Sequence, residues 1–170
     1  MSRARAPIDV SRSLLEAWSV TAEVTRYLLE ALEQRIWRME PPDGGGRTPA
    51  SAFAHIHNVR RMYLVMSRVK GAPAKLDRFR ATRAQTLAAL EKSAAAIGRL
   101  LEAALAPGAS GRVAGIGRDA AGILAAAVAH EAHVRGQICS AARRLGAPIS
   151  QARQLEMWDW EKRRKAALGK

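Results

Sequence analysis

Cysteine is nearly missing from this chain. Cys139 is the single one, so no internal disulfide framework is available and a reducing, cytoplasmic setting is expected. Aromatic residues make up only 5% of the composition. A β-sandwich would call for more of them and for more β-branched side chains, whereas closely packed helices would not. Long hydrophobic runs are lacking too. The longest, AAGILAAAVA at 120–129, is about half of what a membrane span needs, so no membrane partner is expected. The opening MSRARAPIDVSRS has basic residues with no apolar stretch behind them, which is not the pattern of a secretory signal.

Acidic side chains are scarce as well. Fifteen Asp and Glu stand against 28 Lys and Arg, a formal net charge of +13, and such an excess raises the question of nucleic acid. Its distribution speaks against that partner. Residues 1–40 hold six basic and six acidic side chains, residues 41–106 eleven against four, and residues 107–170 eleven against five. The surplus is spread over two thirds of the chain and forms no single stripe, and the densest cluster, EKRRK at 161–165, reads as a solvated tail.

What the chain does have is apolar periodicity. With 48% hydrophobic residues in 170, much of that alanine, it suits a single domain over 1–170, with 1–10 and 165–170 as flexible ends. A first helix is expected from Ser13 to Met39, opened by a Ser13/Glu16 capping box and ended by PPDGGG. A second should start at Thr48-Pro49 and run to Val69, with Ala52, His55, Val59, Met62 and Met66 facing inward. The connector GAPAKLDRF leads to a Thr82/Gln85 capping box and a third helix ending at Ala106. After a glycine-rich loop at 107–118, Asp119 should cap a fourth helix running to Leu145. That loop lacks the lysine and hydroxyl ending of a phosphate-binding loop, and no strand precedes it. QARQLEMWDWEKRRKAAL closes the chain as a shorter amphipathic segment. The fold class is therefore all-α: a four-helix bundle with a short C-terminal helical segment.

The chemistry-bearing residues are four histidines in two pairs. At about 100° per residue, His55 and His57 cannot both face the core. The apolar stripe puts His55 inside and His57 toward solvent. In HEAHVRGQI (130–138), His130 shares a stripe with Ile123, Ala127, Val134 and Ile138, and His133 lies about 60° to one side. His55, His130 and His133 can converge on a metal if the second and fourth helices are neighbours. Equally, buried histidines satisfied by hydrogen bonds need no metal, and Gln137 is a candidate partner for His130. Glu131 reads as a solvated residue or an ion-pair partner of Arg135, itself a surface cation.

RTPASAFAHIHNVRRMYL, HEAHVRGQICSAARRLGAPIS and MWDWEKR, in that order, resemble the DinB/YfiT-like family of metal-dependent four-helix-bundle proteins, over about Leu14 to Arg163. The resemblance implies a three-histidine site. Its first ligand falls on His55 and its second on His130, but the third falls on Val134, which has no lone pair. His133 stands beside that position as a substitute. A divalent transition metal, zinc or nickel, is implied where the site is intact, and its absence is the alternative expectation for this chain. The family further implies a homodimer and, in some members, a thiol S-transferase activity with a small thiol bound to the metal. Arg60 or Arg61 would attract such an anionic thiol near the mouth. The competing expectations are a metal-free bundle that binds a small molecule or serves as a scaffold and, third, a basic nucleic-acid binder.

Overall fold

The computed structural model describes residues 7–42 and 44–169. Among the described residues six α-helices follow one another: α1 (Val10–Ala31), α2 (Pro49–Met66), α3 (Arg83–Leu105), α4 (Ala120–Arg144), α5 (Gln151–Trp158) and α6 (Trp160–Leu168). The first four form the bundle, and α6 lies along α1. A two-residue antiparallel ladder, β1 (Arg112–Val113) with β2 (Arg118–Asp119), sits in the glycine-rich loop where no strand was expected. Among the described residues no helix is long and apolar enough to cross a membrane.

Most helix starts follow from local chemistry. The Thr48 side chain accepts from Ser51 N with Pro49 in the first turn, Thr82 and Gln85 form a reciprocal capping box, and Asp119 accepts from Gly122 N. Each satisfies an N–H that the helix leaves unpaired. α1 departs from expectation at both ends. Asp9, not Ser13, is its N-cap, accepting from Arg12 N. Its C-terminus comes at Ala31, eight residues short of Met39, with Leu32 extended and a single 3-10 turn at Gln34–Ile36. No breaker residue causes this. The turn lets Leu32, Ile36 and Trp37 all become buried, Trp37 stacking on Phe53 at 5.8 Å and accepting from Ala50 N.

The C-terminal segment is two helices and not one. Asp159 ends α5 and caps α6, accepting from Lys162 N. EKRRK is no solvated tail: Arg163 is buried, donates to Glu23 and lies over the Tyr27 ring, and Arg164 pairs with Glu16. Residues 165–168, expected as a flexible end, belong to α6. The flexible ends assigned to 1–6 and 170 lie outside the described residues. Residue 10 opens α1, and residues 7–9 precede it.

The core has two apolar halves. One gathers Leu28, Leu29, Ile36, Phe53, Ile56, Val134 and Ile138; the other gathers Trp18, Leu64, Ile97, Leu101, Ile123 and Ala127. Between these residues along their helices stand Thr25, Arg60 and Glu131, all buried. Arg60 Nε and Nη2 each donate to a Glu131 carboxylate oxygen at 2.7 Å, and Nη1 donates to the Leu90 carbonyl at 2.9 Å. Thr25 donates its hydroxyl proton to Glu131 at 2.8 Å and accepts from Arg135 at 3.0 Å. Trp18 faces the Arg60 guanidinium at 5.1 Å. The expectation of a solvated Glu131 and surface Arg135 is thereby corrected, and so is that of an Arg60 at the mouth, whereas the alternative of an ion pair between Glu131 and Arg135 is met at 3.8 Å. Burial without partners is prohibitive for a charge, and here every ionic group has them.

Gly115 explains the glycine-rich loop. Its φ of +80° is hostile to other residues, and a Cβ there would meet the Met66 carbonyl oxygen at 1.9 Å. The hairpin thus packs on the end of α2.

Two outcomes follow for stability. Glu131→Gln, which leaves the Arg60 charge unpaired, should lose about 3–5 kcal/mol in urea denaturation, while Arg60→Met with Glu131→Leu should lose clearly less. Equal losses would show that the pair adds net stability beyond its burial. Gly115→Ala should lower Tm well below Gly117→Ala, whose Cβ would meet nothing within 4 Å.

Candidate functional site

The buried ion pair decides which faces of α2 and α4 remain for a site. Because Arg60, His57 and Ile56 turn inward, α2 is rotated from the face that apolar counting selects. Met62 and Met66 are about half exposed and Val59 and His55 are only partly buried, whereas His57 is fully buried. The two histidines do face apart, but with their expected roles exchanged. His57 packs inside, with Nδ1 2.9 Å from the Ala89 carbonyl oxygen and Nε2 2.9 Å from that of Ala74. In either tautomer at least one N–H donates to a carbonyl. On α4, Glu131 takes the central position and His130 stands at the edge of the core, half-buried.

At that edge His55 and His130 meet. Their Nε2 atoms are 3.1 Å apart and their ring centroids 5.0 Å, with the planes inclined at 63°. One ring donates its N–H to the bare nitrogen of the other. Burial lowers the pKa of both. Next in importance for His55 come the nearby Arg47, His130 and Arg78, all of which disfavour a further positive charge. For His130, neighbouring Glu131 partly offsets the burial, while His133, Arg47 and Arg60 add to it. Both rings are therefore held toward the neutral form.

The other expected ligands are not brought to this pair. His133 is exposed and bonds to Gln137 at 2.9 Å, so Gln137 serves His133 and not His130. Val134 is 1% exposed and belongs to the apolar core. Among the described residues no three His, Cys, Asp or Glu side chains are grouped so as to hold an ion. The donor set present thus does not fit a three-histidine centre: two imidazoles converge, and the third position offers a hydrocarbon.

Around His55 opens a cleft of about 690 Å³, lined also by Arg47, Asn58, Lys75, Leu76, Asp77, Arg78 and Phe79. Arg47 borders a second cavity of about 500 Å³ that reaches Gln137 and Arg144. Sequence reasoning missed the cleft because GAPAKLDRF carries no helical or strand periodicity and passes for a plain connector. Its one legible signal was Asp77 two residues before Phe79, a spacing at which a carboxylate bonds its own backbone.

The sequence pattern of the DinB superfamily matches residues 17–138. The chain belongs to the DinB superfamily. The match runs from within α1 through most of α4 and includes both members of the histidine pair. No curated protein and no solved structure matches the chain.

The pKa directions carry a pH dependence. Unfolded imidazoles titrate near 6.5, and the folded pair refuses those protons until lower pH. Stability is then fully present above about pH 6.5 and declines as the pH falls through the folded values. Ring-proton NMR should place the midpoints of His55 and His130 below the ordinary imidazole value of about 6.5, and His130→Gln should flatten the stability profile between pH 7 and 5. A His130 midpoint at or above about 6.5 would refute the assignment.

Proposed function

We propose that this DinB-superfamily chain binds a small molecule in the cleft beside His55, with the neutral His55–His130 pair as its polar recognition point and without a closed three-histidine metal centre. The observation that carries this is the pairing of His55 with His130 at 3.1 Å while Val134, at the third ligand position, is locked in the core. A ring already satisfied by its neighbour can exchange that partner for a ligand's donor or acceptor without stranding a buried group. The cleft volume falls in the range of small-molecule sites. Whether a reaction follows binding depends on the ligand, since fold membership does not transfer chemistry.

A second reading is favoured by the same distance. Two imidazole nitrogens on one tetrahedral ion stand about 3.3 Å apart, close to the 3.1 Å found here. On that reading the protein is a metal-dependent thiol S-transferase-type enzyme with zinc or nickel on His55 and His130. His133 would complete the set after leaving Gln137. When bound, such an ion would lower the pKa of a thiol.

Both readings take the protein as cytoplasmic. Assembly as a homodimer belongs to them as well, and Met62, Val65 and Met66, each close to half exposed on one side of α2, are apolar surface for it.

Metal analysis separates the two. Protein purified without a histidine tag should carry far less than one ion per chain, and a chelator should leave its Tm unchanged. Val134→His, if it folds, should gain tight zinc binding. One ion per wild-type chain, lost together with His133→Ala, would sink the first reading and establish the second. Light scattering would report the dimer.

A further inference from the structure

The cleft beside His55 has a charge pattern that its surroundings do not use up. Among the described residues neither Arg47 nor Lys75 takes part in an ion pair, and Arg78 has only the Phe79 ring, at 4.5 Å. The one carboxylate in the lining, Asp77, is turned to its own backbone: Oδ1 accepts from Phe79 N at 2.8 Å and Arg80 N at 3.2 Å. Those bonds, the one from Phe79 first, hold its pKa down. Three cations against one carboxylate leave two positive charges uncompensated. Like charges gathered at one opening repel, and the arrangement is stabilised when an anion enters.

Two of the three cations, Lys75 and Arg78, also sit on a fixed frame. Residues 74–80 have no helix or strand, yet hydrogen bonds tie them down along their length. His57 reaches the Ala74 carbonyl at 2.9 Å. Asn58 both donates to the Leu76 carbonyl at 3.0 Å and accepts from Leu76 N at 2.9 Å. Arg38 donates to the carbonyls of Phe79, of Arg80 at 2.7 Å and of Ala81 at 2.8 Å. A frame already ordered spares a ligand the entropy of ordering it.

We infer that this cleft binds small molecules bearing two or more carboxylate or phosphate groups, with Arg47, Lys75 and Arg78 holding the anionic groups. It rests on the proposal that the cleft is a ligand site, and it names the ligand class. The volume exceeds what a lone phosphate ion requires, and Leu76 with Phe79 offers an apolar surface for a short carbon body between the charges. His55, its Nε2 3.1 Å from that of His130, completes the lining as a hydrogen-bonding group.

The test uses the full chain, 15N-labelled, with three probes at low salt: propane-1,2,3-tricarboxylate, pyrophosphate and the uncharged propane-1,2,3-tricarboxamide. Binding of at least one anion should shift the amides of residues 74–80 and the His55 ring signals saturably, with affinity falling as salt rises. The triamide should bind at least about tenfold more weakly. Comparing the two anions tells carboxylate from phosphate recognition. Arg47→Gln, Lys75→Gln and Arg78→Gln combined should weaken anion binding by about tenfold or more with Tm preserved. Should the triple variant not fold, Lys75→Gln alone should weaken it severalfold. Arg99→Gln, an exposed cation on α3, should change it less than twofold. If the triamide binds as tightly as the anions and shifts the same signals, the ligand class is wrong while the cleft remains a ligand site. Unaltered anion binding in the variants would likewise overturn the assignment. If no probe shifts these signals at millimolar concentration, the ligand class and the ligand site fail together.

Discussion

The bidentate pair between Arg60 and Glu131 sets the rotation of two helices, and much else is a consequence. A guanidinium and a carboxylate withdrawn from water must meet with good geometry, because a misplaced charge in a core is worth several kcal/mol of instability. Arg60 satisfies this with Glu131 on α4 and the Leu90 carbonyl on α3, while Thr25 on α1 meets the same carboxylate. One polar layer therefore touches all four helices of the bundle. An apolar core alone tolerates sliding and rotation; a layer of directional bonds admits one register. With Arg60 inward, His55 lies on the flank of α2, and with Glu131 inward, His130 lies on the flank of α4. The histidine pair is brought together at the seam by residues that do not line the cleft beside it.

The same constraint accounts for what could be read in advance. Helix starts were legible because their cause is local: Thr48, Thr82 with Gln85, and Asp119 each bond a backbone N–H three residues on. The pairing of His55 with His130 was legible through helical spacing joined to family resemblance. The phase of α2 was not. Counting apolar residues assumes that charges face water, so Met62 and Met66 outvoted Arg60. In the folded chain a buried partner on another helix reverses that vote, and no feature of α2 alone announces it. The end of α1 was hidden for a similar reason. LEQRIWRME contains no glycine or proline, and the chain leaves the helix only because Trp37 finds Phe53 across the bundle. The cleft escaped notice because its cations come from two stretches, 47 and 75–78, which mean nothing together until the fold joins them.

Position 134 shows how a core and a site can compete for one side chain. An imidazole there would have to look outward to ligate, while the helix turns that position toward Ile138 and Leu29 in the apolar half. Valine serves the core and leaves His55 and His130 to satisfy each other. A hydrogen-bonded pair is a stable resting arrangement for two half-buried rings in a way that a lone imidazole is not. A valine at position 134 is therefore compatible with both the core and the cleft beside the pair.

His57 adds a mechanical property to that cleft. Its ring spans from Ala74, the residue before the wall's Lys75, to Ala89 in α3, entirely out of contact with water. To swing the wall outward, the protein must expose that ring and break both bonds between Asn58 and Leu76. Such an opening belongs with the rarer, cooperative excursions of the native state and not with the rapid breathing of a surface loop. The ligand proposed for this cleft would therefore come through the gap already present. For it, this wall would be a fixed gauge of size and charge, and not a door.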